Sequence, residues 1–160
     1  MADGIQFEDN RIKVEEAITD KAIAFLYEAV AELQGQTIRN SRVDKGQTKG
    51  SWDTHVDEAN LEASVGSPLE NAIWEELGTG EYALQNNGRT SPWYVPVEGY
   101  TGKKKPTFNG AVVVVYGKDG TAYYKTNGKK PNRALWNAFQ SSKSKLIKRA
   151  EALMKELNGK

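Results

Sequence analysis

Few side chains in this sequence have the types and spacing to do chemistry together. Glu75 and Glu76 are adjacent carboxylates. Paired-carboxylate catalysis needs both groups to converge on one bond. Neighbours on a helix point about 100° apart, so this pair reads as solvated or as part of an interface. His55 is the only histidine, and it alternates with Asp53 and Asp57. A triad needs a nucleophile beside its histidine, and none stands there. The two aspartates offer a weak, non-specific cation site at most. Gly78-Thr-Gly-Glu-Tyr-Ala83 has the glycine spacing of a dinucleotide fingerprint. That chemistry needs a strand before it and a helix N-terminus after it, aiming N–H groups at pyrophosphate. Here a helical pattern precedes and a polar stretch follows. Lys45-Gly-Gln-Thr-Lys-Gly-Ser51 has the glycines of a phosphate loop without its Gly-Lys-Ser/Thr ending. The run Lys103-Lys-Lys105 lies near Trp93, Tyr94 and Tyr100, the mixture of cations and aromatics that single-strand binders use. Its plain reading is a solvated loop. No constellation meets the geometric requirements of an active site, so neither catalysis nor a cofactor or metal is expected.

The elements that must position these residues are marked by their ends. Ser67-Pro-Leu-Glu70 reads as a capping box, with Ser67 at the N-cap, Pro68 at the first helical position and Glu70 reaching back. Gly78 then sits where a helix ends in a positive-φ backbone. Leu69, Ala72, Ile73 and Leu77 share one face of that short helix, with Trp74 on its flank. About ten residues make a helix too short to stand alone. It must be held by packing, and Gly78-Thr-Gly80 sets where the chain goes next.

Before it, Asn10 caps a long helix over 11–33. Val14, Ile18, Ala22, Phe25, Ala29 and Leu33 form its stripe, and Gly35 ends it. Its outer side is acidic. Residues 36–50 read as a mobile loop. Trp52, Thr54 and Val56 alternate inward, as do Leu61, Ala63 and Val65, with Glu58-Ala-Asn60 turning one strand into the next. Residues 84–110 form a long loop in which only 93–97 looks extended. The clearest hairpin is Ala111–Tyr116, then Asp119-Gly120, then Thr121–Tyr124. Its four valines suit a strand covered on both faces, or one buried on oligomerisation. A turn at 126–131, holding Gly128 and Pro131, leads to a helix capped by Asn132 and running to about Leu157. Leu135, Phe139, Leu146, Ala150, Leu153 and Leu157 form its stripe, and Lys143, Lys145, Lys148 and Arg149 its basic side.

These elements make an α+β fold, with a small, mostly antiparallel sheet packed against two long helices plus one short helix. The 160 residues suit a single domain over 1–160, with 1–9 an N-terminal tail. No apolar run is long enough for a membrane span. The first residues lack a signal-peptide core, and no cysteine is present. Both suit a protein made in a reducing cytosol. Net charge is +1, yet residues 1–80 hold 7 Lys/Arg against 16 Asp/Glu, and residues 81–160 hold 15 against 5. Either the fold has an acidic and a basic surface, or the halves interleave and the charges mix. On the first reading the acidic helix of one subunit meets the basic helix of the next. Packing of the two helices side by side within one subunit removes that premise. A nucleic-acid-binding domain using the basic second half is the alternative function.

Three blocks in order carry a family resemblance. They are Val43-Asp-Lys-Gly-Gln-Thr-Lys-Gly-Ser-Trp52, Ala72-Ile-Trp-Glu-Glu-Leu-Gly-Thr-Gly-Glu-Tyr-Ala83 and Thr126-Asn-Gly-Lys-Lys-Pro-Asn-Arg-Ala-Leu-Trp-Asn-Ala138. Together they resemble the tail-completion, or head–tail joining, proteins of long-tailed bacteriophages, a family of minor tail components. Lys45 stands where that family usually has Thr, Thr48 where it often has Leu, and Leu77 where it has Phe. Residues 98–125 look like an added hairpin. The resemblance implies a non-enzymatic virion component, assembled in the host cytoplasm into a homo-oligomeric ring, a hexamer, at the head–tail junction. Its implied partners are the head connector or stopper protein and the tail tube or tail terminator, with DNA a passing contact at most and no membrane. Residues expected at a partner surface are Lys45, Lys49, Trp52, Glu75, Glu76, Thr79, Arg89, Trp93, Lys103, Lys104 and Lys105. Ser67, Gly78, Gly80, Gly128 and Pro131 are expected to hold backbone shape.

Overall fold

The computed structural model describes residues 11–43, 46–97, 113–118 and 120–158. The expected tail at 1–9, Lys45 and the Lys103–Lys105 run lie outside the described residues. The fold is α+β, as the patterns require. Its strands form two antiparallel sheets where one was expected, β1-β2 and β3-β5-β4. The chain also divides into two compact units, 1–68 with 134–160, and 69–133.

The first unit is built on α1 (Arg11–Asn40). The helix runs through Gly35, which was expected to end it. An interior glycine costs only about 1 kcal/mol, and the turns beyond it are held by burial and side-chain bonds. Thr37 is fully buried, and its Oγ1 donates to the Leu33 carbonyl at 2.7 Å. Ser41 Oγ donates to the Thr37 carbonyl at 2.8 Å. A single helical turn, α2 (Gln47–Gly50), follows, so part of the stretch read as loop is helical. Then come β1 (Asp53–Asp57) and β2 (Glu62–Gly66), paired from Asp53 opposite Gly66 to Asp57 opposite Glu62. Asp57 closes the turn, accepting hydrogen bonds from the Asn60 backbone N–H and side-chain amide. Thr54, Val56, Ala63 and Val65 are half-buried on the face expected, and the hairpin packs on α1. Leu61, expected inward, is exposed in the turn at φ 52°.

The last helix, α4 (Ala134–Asn158), lies antiparallel along α1. The direction is fixed by its contacts. Lys21 faces Glu156 at 2.8 Å, Glu28 faces Arg149 at 3.1 Å, and Glu32 faces Lys145 at 3.2 Å. At the far end, Asn40 Nδ2 donates to the Ala134 carbonyl at 3.3 Å. Small residues let the helices approach: Ala134, Ala138 and Ser142 are all buried. The helix starts after Arg133, which has φ 54°, so Asn132 is not its cap. The end of α4 lies beside Lys21, so the first turns of α1 extend past it, and Val14 and Ile18 there are exposed. Of the apolar stripe expected on α4, Leu135, Leu146, Ala150, Leu153 and Leu157 are half-buried, and Phe139 is exposed.

The second unit holds α3 (Glu70–Leu77), a 3₁₀ turn over Gly80–Tyr82, and strands β3 (Trp93–Pro96), β4 (Val113–Tyr116) and β5 (Ala122–Thr126). β5 is central, pairing antiparallel with β3 and β4. Val115 is exposed on edge strand β4, so that strand is not covered on both faces. The expected capping box of α3 does not form. Its N-cap is Leu69, without a side-chain bond, and Ser67 Oγ lies 2.6 Å from Ser51 Oγ. Pro68 is therefore not the first helical residue. Within α3, Ala72 is buried while Ile73 and Trp74 are exposed.

Candidate partner-binding interface

The second and third blocks, more than forty residues apart in the chain, meet in the second unit through their backbones. Thr79 N–H donates to the Lys129 carbonyl at 2.9 Å, and Lys129 N–H donates back to Thr79 Oγ1 at 3.0 Å. Glu81 N–H donates to the Asn127 carbonyl at 3.0 Å. Asn132 N–H donates to the Glu75 carbonyl at 2.6 Å. Two glycines permit this approach. A Cβ on Gly80 would fall on the Asn127 carbonyl, and one on Gly128 would fall on the Thr79 carbonyl. Both also have positive φ, 61° and 121°. Gly78 has φ 76°, as expected, and a Cβ there would lie 2.9 Å from Pro131 Cδ. The structural roles expected of Gly78, Gly80, Gly128 and Pro131 thus have a common cause: two loops crossing at backbone contact.

Side chains reinforce the crossing. Lys129 Nζ pairs with Glu75 Oε1, and Asn127 Nδ2 donates to Glu81 Oε2 at 3.2 Å. Glu75 and Thr79 are therefore engaged inside this unit rather than presented as free contacts. Lys129 and Asn127 went unrecognised in the sequence, because nothing in a turn's composition names its distant partner. Lys130 lies 5.7 Å from the centre of the Tyr82 ring. The Tyr82 hydroxyl is raised above its ordinary pKa by the neighbouring Glu81. Glu76 is half-buried at the end of α3. Arg89 and Trp93 come together: the guanidinium stands 5.8 Å from the ring centre, and its Nε donates to Ser91 Oγ at 3.1 Å. Stacking of that kind holds an arginine in place on a surface.

The first block lies in the other unit. Trp52, expected at a partner surface, is a core residue there, 7% exposed. Its indole N–H donates to Ser41 Oγ at 2.8 Å, and its carbonyl accepts from Gln34 Nε2 at 2.8 Å. Lys49 is half-buried in α2.

No protein-family model, curated protein or solved structure matches this chain.

The charge asymmetry of the sequence halves resolves inside the fold. The acidic first helix and basic last helix pack together in one unit, joined by the three ion pairs named above. The proposed meeting of those helices between subunits therefore loses its premise. The unit of 1–68 and 134–160 holds 13 Lys/Arg against 15 Asp/Glu, and residues 69–133 hold 9 against 6. Glu32 shows the effect on a single group. The Gln36 amide bond, and then Lys145, hold its carboxyl below the ordinary range. Among the described residues, no cluster of His, Asp and Glu could hold a metal ion, and no helix is long and apolar enough to cross a membrane.

Proposed function

We propose that this chain is a ring-forming structural component that joins a phage head connector to a tail tube. The order of the three blocks supports the reading, since two of them form one locked crossing. The observation that carries it is the distribution of apolar surface. Buried apolar side chains are few and, apart from Trp52, small: Val30, Trp52, Ala72, Ala122, Ala134 and Ala138 among the described residues. Large ones stand exposed on every kind of element, among them Ile73, Trp74, Tyr94, Val95, Phe139, Ile147 and Met154. Where such side chains adjoin, as Ile73 with Trp74 and Tyr94 with Val95 do in the chain, they offer apolar surface to other proteins. A neck component, enclosed by copies of itself, a connector and a tail, uses surface in that way. Its working location on this reading is the head–tail junction of the virion.

The test is to mix the purified protein with tail tubes assembled without it. The expected result is a ring capping one end of each tube, with the free protein smaller in mass. Absence of binding to tubes or connectors, with a salt-sensitive shift of DNA instead, overturns the reading.

A further inference from the structure

Asn87, Asn109, Asn127 and Asn158 each precede a glycine. Gly110 and Gly159 lie outside the described residues, which leaves two pairs to compare. An asparagine before glycine is open to attack by the next backbone nitrogen, because glycine has no Cβ to shield that nitrogen or restrict its φ. The fold holds the two pairs differently. Asn127-Gly128 is part of the loop crossing. Asn127 Nδ2 donates to Glu81 Oε2 at 3.2 Å, and the Asn127 carbonyl accepts the Glu81 N–H at 3.0 Å. The Gly128 N–H donates to Thr126 Oγ1 at 3.1 Å. Asn87-Gly88 lies in the loop before β3. Asn87 is exposed, and its Nδ2 donates only to the exposed Gln85 side chain, at 3.2 Å. Among the described residues nothing accepts the Gly88 N–H. Gly88 is nonetheless closely packed. A Cβ there would fall on the Gly80 carbonyl and lie 2.8 Å from Ala83 Cβ. The loop at 88 therefore rests on a residue from which the crossing is built.

We propose that Asn87 is a site of spontaneous deamidation, and that its isoaspartate product loosens the loop crossing. The Gly88 nitrogen loses its proton to hydroxide and attacks Asn87 Cγ. An N–Cγ bond forms, the Cγ–Nδ2 bond breaks, and ammonia leaves with a proton taken from water. Water then opens the five-membered succinimide. Opening at Cγ gives aspartate. Opening at the Asn87 backbone carbonyl gives isoaspartate, whose main chain runs through Cβ and Cγ and is one atom longer. No oxidant or reductant takes part. The longer chain displaces Gly88, and the Gly80 carbonyl stands in its way. Asn127 is spared, because its amide and the Gly128 N–H must both be released before the same ring can close. That release needs the crossing to open. The inference goes beyond the head–tail reading and does not depend on it.

The test ages the full chain in mildly alkaline buffer and follows its tryptic peptides by mass spectrometry, with an isoaspartyl methyltransferase to count isoaspartate. Cleavage after Arg89, Lys125 and Lys129 puts the two asparagines in separate peptides. In the folded protein Asn87 is expected to convert roughly tenfold faster than Asn127 or more, a ratio set by how seldom the crossing opens. Each pair is followed by a basic residue, Arg89 or Lys129, so in denaturant the two rates should converge. Gly80→Ala, which breaks the crossing, should raise the Asn127 rate to that of Asn87. Aged protein should exchange its amides over 69–133 faster than fresh protein. Aged Asn87→Gln, whose longer side chain closes a ring poorly, should not. Fresh Asn87→Asp carries the new charge without the longer backbone and is expected to keep the fresh exchange map. The proposal is overturned if folded Asn87 converts no faster than Asn127. It is also overturned if the ratio persists in denaturant or in Gly80→Ala, since local sequence and not the crossing then sets it. Isoaspartate at 87 with an unchanged exchange map removes the effect on the crossing. A changed map in fresh Asn87→Asp does the same, by assigning the effect to charge.

Discussion

The two units of this molecule are held together by different physics. In the helical unit, two long amphipathic surfaces lie side by side, with alanine and serine at the closest approach and ion pairs along the edge. Many weak contacts share the load, so it responds by degrees to single changes on its surface. In the 69–133 unit, two loops cross backbone to backbone through Thr79, Gly80, Asn127 and Gly128. That contact has no slack, since a carbonyl oxygen cannot move aside as a side-chain tip can. A diffuse interface and a crossing of this kind therefore fail differently, and substitutions can expose the contrast.

The largest effect is expected at the crossing. Gly80→Ala puts a methyl group onto the Asn127 carbonyl and forces a side chain into positive φ. The cost is roughly 3–5 kcal/mol, enough to unfold this unit. Loss of slow amide exchange confined to 69–133 is the expected result, and an unchanged exchange map would show that the crossing opens freely. The helical unit has one comparable point. Trp52→Phe removes the indole N–H from Ser41 Oγ and some buried volume, for about 1–3 kcal/mol. A denaturation midpoint within error of the wild type would show that neither the indole bond nor the lost volume matters to stability.

Along the helix edge the effects are smaller. Reversing Lys145, Lys148 and Arg149 to Glu turns two attractive pairs into repulsive ones. It should cost about 1 kcal/mol per pair in dilute buffer and less in concentrated salt. Equal midpoints in low and high salt would show that these pairs contribute nothing. The smallest effect is that of pH. The Glu32 carboxyl is depressed in the fold, chiefly by Gln36 and then by Lys145. A depressed folded pKa gives stability that is present above the unfolded value and lost as pH falls through the folded one. The melting temperature should therefore decline below the ordinary carboxylate range, and Glu32→Gln should flatten that decline. Asp57, held low by Asn60, acts in the same direction. An identical slope in the Glu32→Gln variant would assign the decline to other carboxylates.

Local pattern determined much by itself. The apolar spacing of 11–33 and 135–157 specified two long helices, and alternation at 52–56 and 61–65 specified the first hairpin. The positive φ of Gly78 followed from its place after a helical run, because only glycine takes that backbone at little cost. These are properties of neighbours in the chain, and a sequence lists neighbours. Contacts between distant residues were decided by the tertiary structure alone. Alternation does not say which strand pairs with which, so five strands expected in one sheet divided into two. Gly35 looked like a stop, yet burial of Thr37 and the bond between Trp52 and Ser41 carried α1 onward, since tertiary contacts outweigh a deficit of about 1 kcal/mol. Ser67 looked like a cap, yet its hydroxyl lies against Ser51. The acidic and basic halves looked like two faces until α4 came back along α1 and set Lys145 and Arg149 against Glu32 and Glu28. Charge in a sequence is counted along the chain, whereas its energy depends on distance in space, and only folding sets that distance.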